Sequence, residues 1–168
     1  LLQAAADGDI DKLRTLLDDE ADLNEVDDCG WAALHYASMI GYADVVERLL
    51  AARGIDVNQA SNDDVTPLLV ASYNGHVGVV ERLLAAEGID VNKASKKGAT
   101  PLWAASYNGH ADVVELLLAN GADVNQARKD GSTPLLIASK KGHAGVVERL
   151  LANGARVNQA DINGVAPL

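Results

Sequence analysis

The sequence predicts an all-α fold: a row of stacked helix–turn–helix units joined by extended β-turn loops. Three observations predict it. The chain repeats itself: Leu34, Leu68, Leu102, Leu135 and Leu168 fall at spacings of 34, 34, 33 and 33 residues, and Asn24, Asn58, Asn92, Asn125 and Asn158 keep the same intervals. A fixed period of about 20–50 residues is the mark of an array. Within a copy, apolar residues recur at three- and four-residue steps, the helical period. The core material is also thin. The chain is 48% hydrophobic, yet it has no Phe and only 4% aromatics. Leu, Ala and Val suit shallow layers packed on one another, whereas one deep core would need bulkier side chains.

The third copy justifies each element in turn. Thr66 caps a first helix, and Pro67 fits the first helical position, where its missing N–H needs no partner. Leu68 and Ala71 are three apart and share a face. Asn74-Gly75 stops this short helix, because glycine tolerates a positive φ. Val79, Val80, Leu83 and Leu84 form the apolar stripe of a second helix, with Glu81 and Arg82 outside it. Gly88 closes the pair, and "DVNKASKKGAT" supplies an extended polar turn before the next Thr-Pro. In the second and third copies, "AARGID" and "AAEGID" carry one residue more than the later "ANGAD", an insertion placed in a loop, where it costs little.

Helices of two turns are marginal alone. One pair cannot bury its own apolar face, so it must lean on neighbours, and each interface needs the same partner surface. "DGSTPLLIASKKGHAGVVERLLANGARVNQA", Asp130 to Ala160, resembles the ankyrin repeat, with its T-P-L-H-x-A signature. The resemblance runs along the whole chain. It implies one domain over residues 1–168, with units at about 1–27, 28–60, 61–94, 95–127 and 128–160 and a partial unit at 161–168. It also implies that His76, His110 and His143 hydrogen-bond between neighbouring loops, and that the asparagine row supports the connecting turns.

The units depart from the pattern in order along the chain. Unit one is acidic: residues 1–30 hold ten acids (Asp7, Asp9, Asp11, Asp18, Asp19, Glu20, Asp22, Glu25, Asp27 and Asp28) against Lys12 and Arg14. It can serve as a solvated cap. Unit two has Ala32-Ala33 for Thr-Pro, and its His35 alone keeps the signature histidine. Unit three has Asp64 for the turn glycine. Leu69, Trp103 and Leu136 replace the histidine in units three to five. Lost caps and turn residues cost about 0.5–2 kcal/mol each, so units two and three are expected to be looser than unit five. Leu1 opens inside a helix and Leu168 stops where another would begin, so a longer array is expected.

Several function classes recede. The formal net charge is −10 and the pI about 4.7, a field that repels nucleic-acid phosphates. No apolar run approaches the ~18 residues that span a bilayer, and no signal peptide is visible. One cysteine, Cys29, rules out an internal disulfide; an intracellular, cytoplasmic setting is expected. The histidine row cannot share a metal, since units sit about 10 Å apart and Zn–N bonds are about 2.1 Å. Ser72/His76, Ser106/His110 and Ser139/His143 have the look of nucleophile–base pairs. They recur at the repeat period, however, and catalysis needs one assembled constellation. No enzyme activity and no cofactor are expected.

Positions that vary between units are free of the packing constraint. In the ankyrin family they lie at turn tips and on the exposed side of the first helix, the concave face. Carried over by position, the partner-binding candidates are Trp31, Met39, Ile40, Tyr73, Asn74, Lys96, Lys97, Tyr107, Asn108, Lys129, Lys140 and Lys141. Tyr and Trp bury large areas for little lost entropy, so Tyr73 and Tyr107 at one equivalent position are informative. The lysines make the face run from acidic and aromatic to basic, which would orient a partner. The expectation is a non-enzymatic module for a protein or peptide, with no nucleic-acid or membrane partner, and a monomer. The alternatives are a structural or self-associating spacer that docks end to end through its uncapped last unit, and an engineered ankyrin binder.

Overall fold

Thr66, Thr100 and Thr133 start three equivalent helices in the same way. Each Oγ1 accepts the backbone N–H three residues on, at 3.2, 3.1 and 3.1 Å, and a proline follows at once. The computed structural model describes residues 1–18 and 21–167. Leu168 of the leucine row, and Asp19 and Glu20 of the acidic run, lie outside the described residues. Ten helices follow one another in pairs: α1 (Leu2–Asp7) and α2 (Ile10–Asp18), α3 (Ala33–Ile40) and α4 (Ala43–Leu50), α5 (Pro67–Asn74) and α6 (Val77–Leu84), α7 (Pro101–Asn108) and α8 (Ala111–Ala119), α9 (Pro134–Lys141) and α10 (Ala144–Ala152). The fold is the expected all-α solenoid.

The first helices form one layer and the second helices another. Ala37, Ala71, Ala105 and Ala138 are all fully buried between first helices. Such small side chains let neighbouring axes draw close, and the first helices approach one another more closely than the second helices do. The row therefore bends toward the first-helix layer. Val45, Val46 and Leu49, then Val79, Val80 and Leu83, then Val113, Val114 and Leu117, fill the second layer. Leu84 of the predicted stripe is only half-buried. One continuous apolar cluster runs from Ala4 to Leu150.

Polar groups stitch the units at two levels. Asn58 donates through Nδ2 to the Gly88 carbonyl at 2.7 Å and accepts through Oδ1 from the Asp90 N–H at 2.8 Å. Asn24, Asn92 and Asn125 repeat both bonds. His76, His110 and His143 reach back through Nε2 to the carbonyls of Met39, Tyr73 and Tyr107, at 2.9, 3.0 and 3.1 Å. On the outer face Arg82 meets Glu47 at 3.1 Å, and Arg149 meets Glu115 at 3.1 Å.

The two irregular units have local remedies. In unit two, the His35 Nδ1 accepts the Ala32 N–H at 3.1 Å, so the proton sits on Nε2, which donates to the Val65 carbonyl at 3.0 Å. In unit three, Asp64 adopts φ 58°, alone among non-glycine residues described, where Gly30, Gly98, Gly131 and Gly164 have φ of 78–81°. In the last unit Leu151, Val157, Ile162 and Val165 are exposed. Gly142 has empty space where Gly41, Gly75 and Gly109 face the next unit's imidazole.

Candidate functional site

The turn tips and the ends of the first helices build one continuous surface. Each tip is a tight hairpin: Asp27, Ser61, Ser95, Arg128 and Asp161 donate their N–H to the carbonyl four residues on, at 2.9–3.1 Å. A carboxylate or hydroxyl steadies each turn. Asp27 accepts the N–H groups of Cys29 and Trp31, and Ser61 those of Asp63 and Val65. Adjacent tips are tied by Asn62 N–H to Cys29, Lys96 N–H to Asp63, Lys129 N–H to Lys97 and Ile162 N–H to Asp130. The tips thus form a ledge of fixed register.

Behind this ledge, on α5 and α7, the aromatic residues of units three and four join up. Tyr73, 46% exposed, stacks on Tyr107 with centroids 6.3 Å apart and planes 18° apart. Tyr107 lies 5.3 Å from Trp103, one helical turn earlier in α7. Two cations bracket the row. The Arg128 guanidinium sits 4.5 Å over Trp103, and the Lys141 ammonium sits 4.3 Å over Tyr107. Lys141 Nζ also donates to the Tyr107 hydroxyl at 3.3 Å. Cation–π contacts of this kind hold aromatic faces in a fixed orientation.

The other expected site residues divide. Met39 and Ile40 are exposed beside the row, at 38% and 37%. Lys96, Lys97 and Lys129 are exposed at the tips, and among the described residues they form no salt bridge. Asn74 is exposed but bonds its own helix, Nδ2 to the Val70 carbonyl at 2.9 Å. Asn108 is half-buried and turned to scaffolding, Nδ2 to the Tyr73 carbonyl at 2.7 Å. Lys140 is tied to Asp161 at 3.0 Å. Trp31 is half-buried, with His35 and Tyr36 each 5.5 Å away. Trp103, in the place of the signature histidine, is only 7% exposed, its indole N–H donating to Ser132 Oγ at 3.3 Å.

Sequence reasoning missed Tyr36. Its hydroxyl donates to Asp27 at 2.5 Å, and this bond, ahead of the Trp31 and Cys29 amides, holds the Asp27 carboxyl below its ordinary value. A Tyr where the other units place Val70, Ala104 and Ile137 was the available signal. In the unit-three serine–histidine pair the two side chains turn to different partners. Ser72 is buried and donates to its own helix at the Leu68 carbonyl, 2.7 Å away, while His76 bonds Met39. No described helix is long and apolar enough to cross a membrane.

A cleft of about 660 Å³ lies away from the ledge between α2 and α4. Arg14, Arg48 and Arg53 line it together with Asp18 and Asp22, so it concentrates neither sign of charge. A similar groove of about 530 Å³ lies between α4 and α6. These grooves follow from the looser second-helix layer.

A family model described as Ankyrin repeats (3 copies) matches residues 1–95 and 79–161. The chain belongs to the ankyrin repeat family, whose members are generally protein–protein interaction modules. No curated protein matched the chain.

Proposed function

We propose that the chain is a non-enzymatic recognition module that receives a protein or peptide along its tips and first-helix ends. The observation that carries this reading is the Tyr73–Tyr107–Trp103 row with Arg128 and Lys141 laid on it. Its exposed member, Tyr73, is held in place by Tyr107, so a partner binds it with little ordering cost. Aromatic anchors of this kind dominate interface energies. The test is a peptide display selection on the immobilised chain, followed by calorimetric titration of the enriched peptide against wild type and Tyr73→Ala. The expected loss is about 2 kcal/mol in affinity, with the melting temperature nearly unchanged. Unchanged affinity with a clear loss of stability would make Tyr73 part of the scaffold only.

The last unit favours a second reading, end-to-end docking of copies. Its exposed Leu151, Val157, Ile162 and Val165 and the empty space at Gly142 support it. The opposite end opposes it: Asp9 stands where later units place the docking histidine, and its carboxylate caps α2 through the Lys12 N–H at 2.9 Å. A head-to-tail contact would lack the imidazole that joins units two to five.

A further inference from the structure

Charge divides this surface as sharply as aromatic content does. The tips of units two and three, residues 27–31 and 61–65, hold Asp27, Asp28, Asp63 and Asp64 and no base. The tips of units four and five, residues 95–99 and 128–132, hold Lys96, Lys97, Arg128 and Lys129 against Asp130 alone. The same split runs through the whole chain: eighteen acids and six bases in residues 1–94, six acids and eight bases in residues 95–168.

Four of the eight cations of the basic half have partners. Arg128 lies on Trp103 and 3.6 Å from Asp130, Lys140 meets Asp161, Lys141 lies on Tyr107, and Arg149 meets Asp112 and Glu115. Of the other four, Arg156 lies in the loop after α10, and Lys96, Lys97 and Lys129 are exposed at the tips without a salt bridge among the described residues. Their backbones are fixed by the bonds of Lys96 N–H to Asp63 and of Lys129 N–H to Lys97, at 2.9 and 3.2 Å. Three uncompensated ammonium groups therefore stand on a ledge of fixed backbone, which meets the Trp103–Tyr107–Tyr73 row through Arg128.

Resting on the recognition reading above, we infer that the partner is an acidic peptide segment, bound extended, with an apolar side chain on the Tyr73–Tyr107 shelf and its carboxylates on Lys96, Lys97 and Lys129. The spacing fits. Neighbouring units lie about 10 Å apart, and an extended chain advances about 3.3 Å per residue. Carboxylates roughly three residues apart meet successive tips. The acidic half of the molecule does not defeat this. At physiological salt the Debye length is about 8 Å, so exposed charges one unit away are largely screened. The acidic tips instead set direction: a segment laid the wrong way would place its carboxylates against Asp28 and Asp63.

The experiment is a random twelve-residue peptide display selection run in parallel on three forms: wild type, Tyr73→Ala, and the triple variant Lys96→Glu/Lys97→Glu/Lys129→Glu, each checked for folding by circular dichroism. Wild type is expected to enrich peptides with a net negative charge and an aromatic or large aliphatic residue. Their affinity should fall at least fivefold between 50 and 300 mM NaCl, and the triple variant should lose them by tenfold or more. Tyr73-dependent peptides that are neutral or basic would overturn the acidic assignment and leave the recognition reading standing. Failure to enrich any Tyr73-dependent peptide would overturn both. Displacement of the acidic peptides by single-stranded DNA of equal charge, as readily as by free peptide, would reassign the lysines to phosphate.

Discussion

At the scale of the residue, two positions show how a repeat absorbs a departure from its own pattern. His35 is buried, and burial above all holds its imidazole below the ordinary value; the Val65 carbonyl and the Asp27 carboxylate oppose this only in part. Its Nδ1 must stay unprotonated to accept the Ala32 N–H. The folded state therefore binds this proton less readily than the unfolded chain. The stability that His35 contributes is present above about pH 6.5 and is lost as pH falls through the lower folded value. His35→Leu, the residue that units three and five carry at this place, should reduce the loss of stability between pH 7 and 5, measured by urea melts at each pH. Equal pH dependence in both forms would remove His35 from that role. Asp64 holds a left-handed backbone that costs a non-glycine residue about 1 kcal/mol. Asp64→Gly should raise stability by about 0.5–1 kcal/mol in urea melts, as the four glycines at equivalent turns indicate.

At the scale of the element, the joint between helix pairs matters more than the pairs themselves. Gly75 and Gly142 both end first helices at φ 76°. A methyl group at Gly75 would come within 2.6 Å of the His110 ring, whereas one at Gly142 meets nothing within 4 Å. The backbone strain is common to both and costs about 1 kcal/mol. Gly75→Ala should therefore cost about 1–3 kcal/mol more than Gly142→Ala, read from paired thermal melts. Equal costs would mean that the imidazole slot does not hold neighbouring units together. The helices themselves were legible in the sequence: Thr-Pro starts, Asn-Gly stops and the Val-Val-x-x-Leu stripe mark α5 to α8, although α6 ends at Leu84, four residues before the Gly88 expected to close it. The joints were legible only as rows of identical letters. Nothing in one unit tells which carbonyl of the next its His or Asn will meet, because that partner lies 29–37 residues away. For the same reason Asn108 looked free. Its place on α7 is exposed in an isolated unit and becomes a scaffold bond only when unit three is stacked against it.

At the scale of the whole molecule, the chain is a curved row whose closer-packed layer carries aromatic and charged residues that packing does not require. The repeat period defined the fold. The surface was legible as a list of variable positions, but its wiring was not. The sequence placed Lys141 beside other free lysines, while the folded chain spends it on Tyr107, and Arg128, not among the candidates, covers Trp103. Such pairings join residues from different units, so single-unit periodicity cannot report them. The mismatch between the two ends predicts a monomer: sedimentation equilibrium over a hundredfold concentration range should give one constant mass near 17.5 kDa, and a mass that climbs with concentration would favour end-to-end docking. The central claim is that recognition belongs to the tips and first-helix ends. Backbone amide NMR shifts measured during titration with a selected peptide test it most directly. The account predicts changes gathered at Met39–Ile40, Tyr73–Asn74, Lys96–Lys97, Tyr107–Asn108 and Lys129, with the second helices α4, α6, α8 and α10 silent. Changes centred on those second helices, or on the exposed end at Leu151 to Val165, would contradict it.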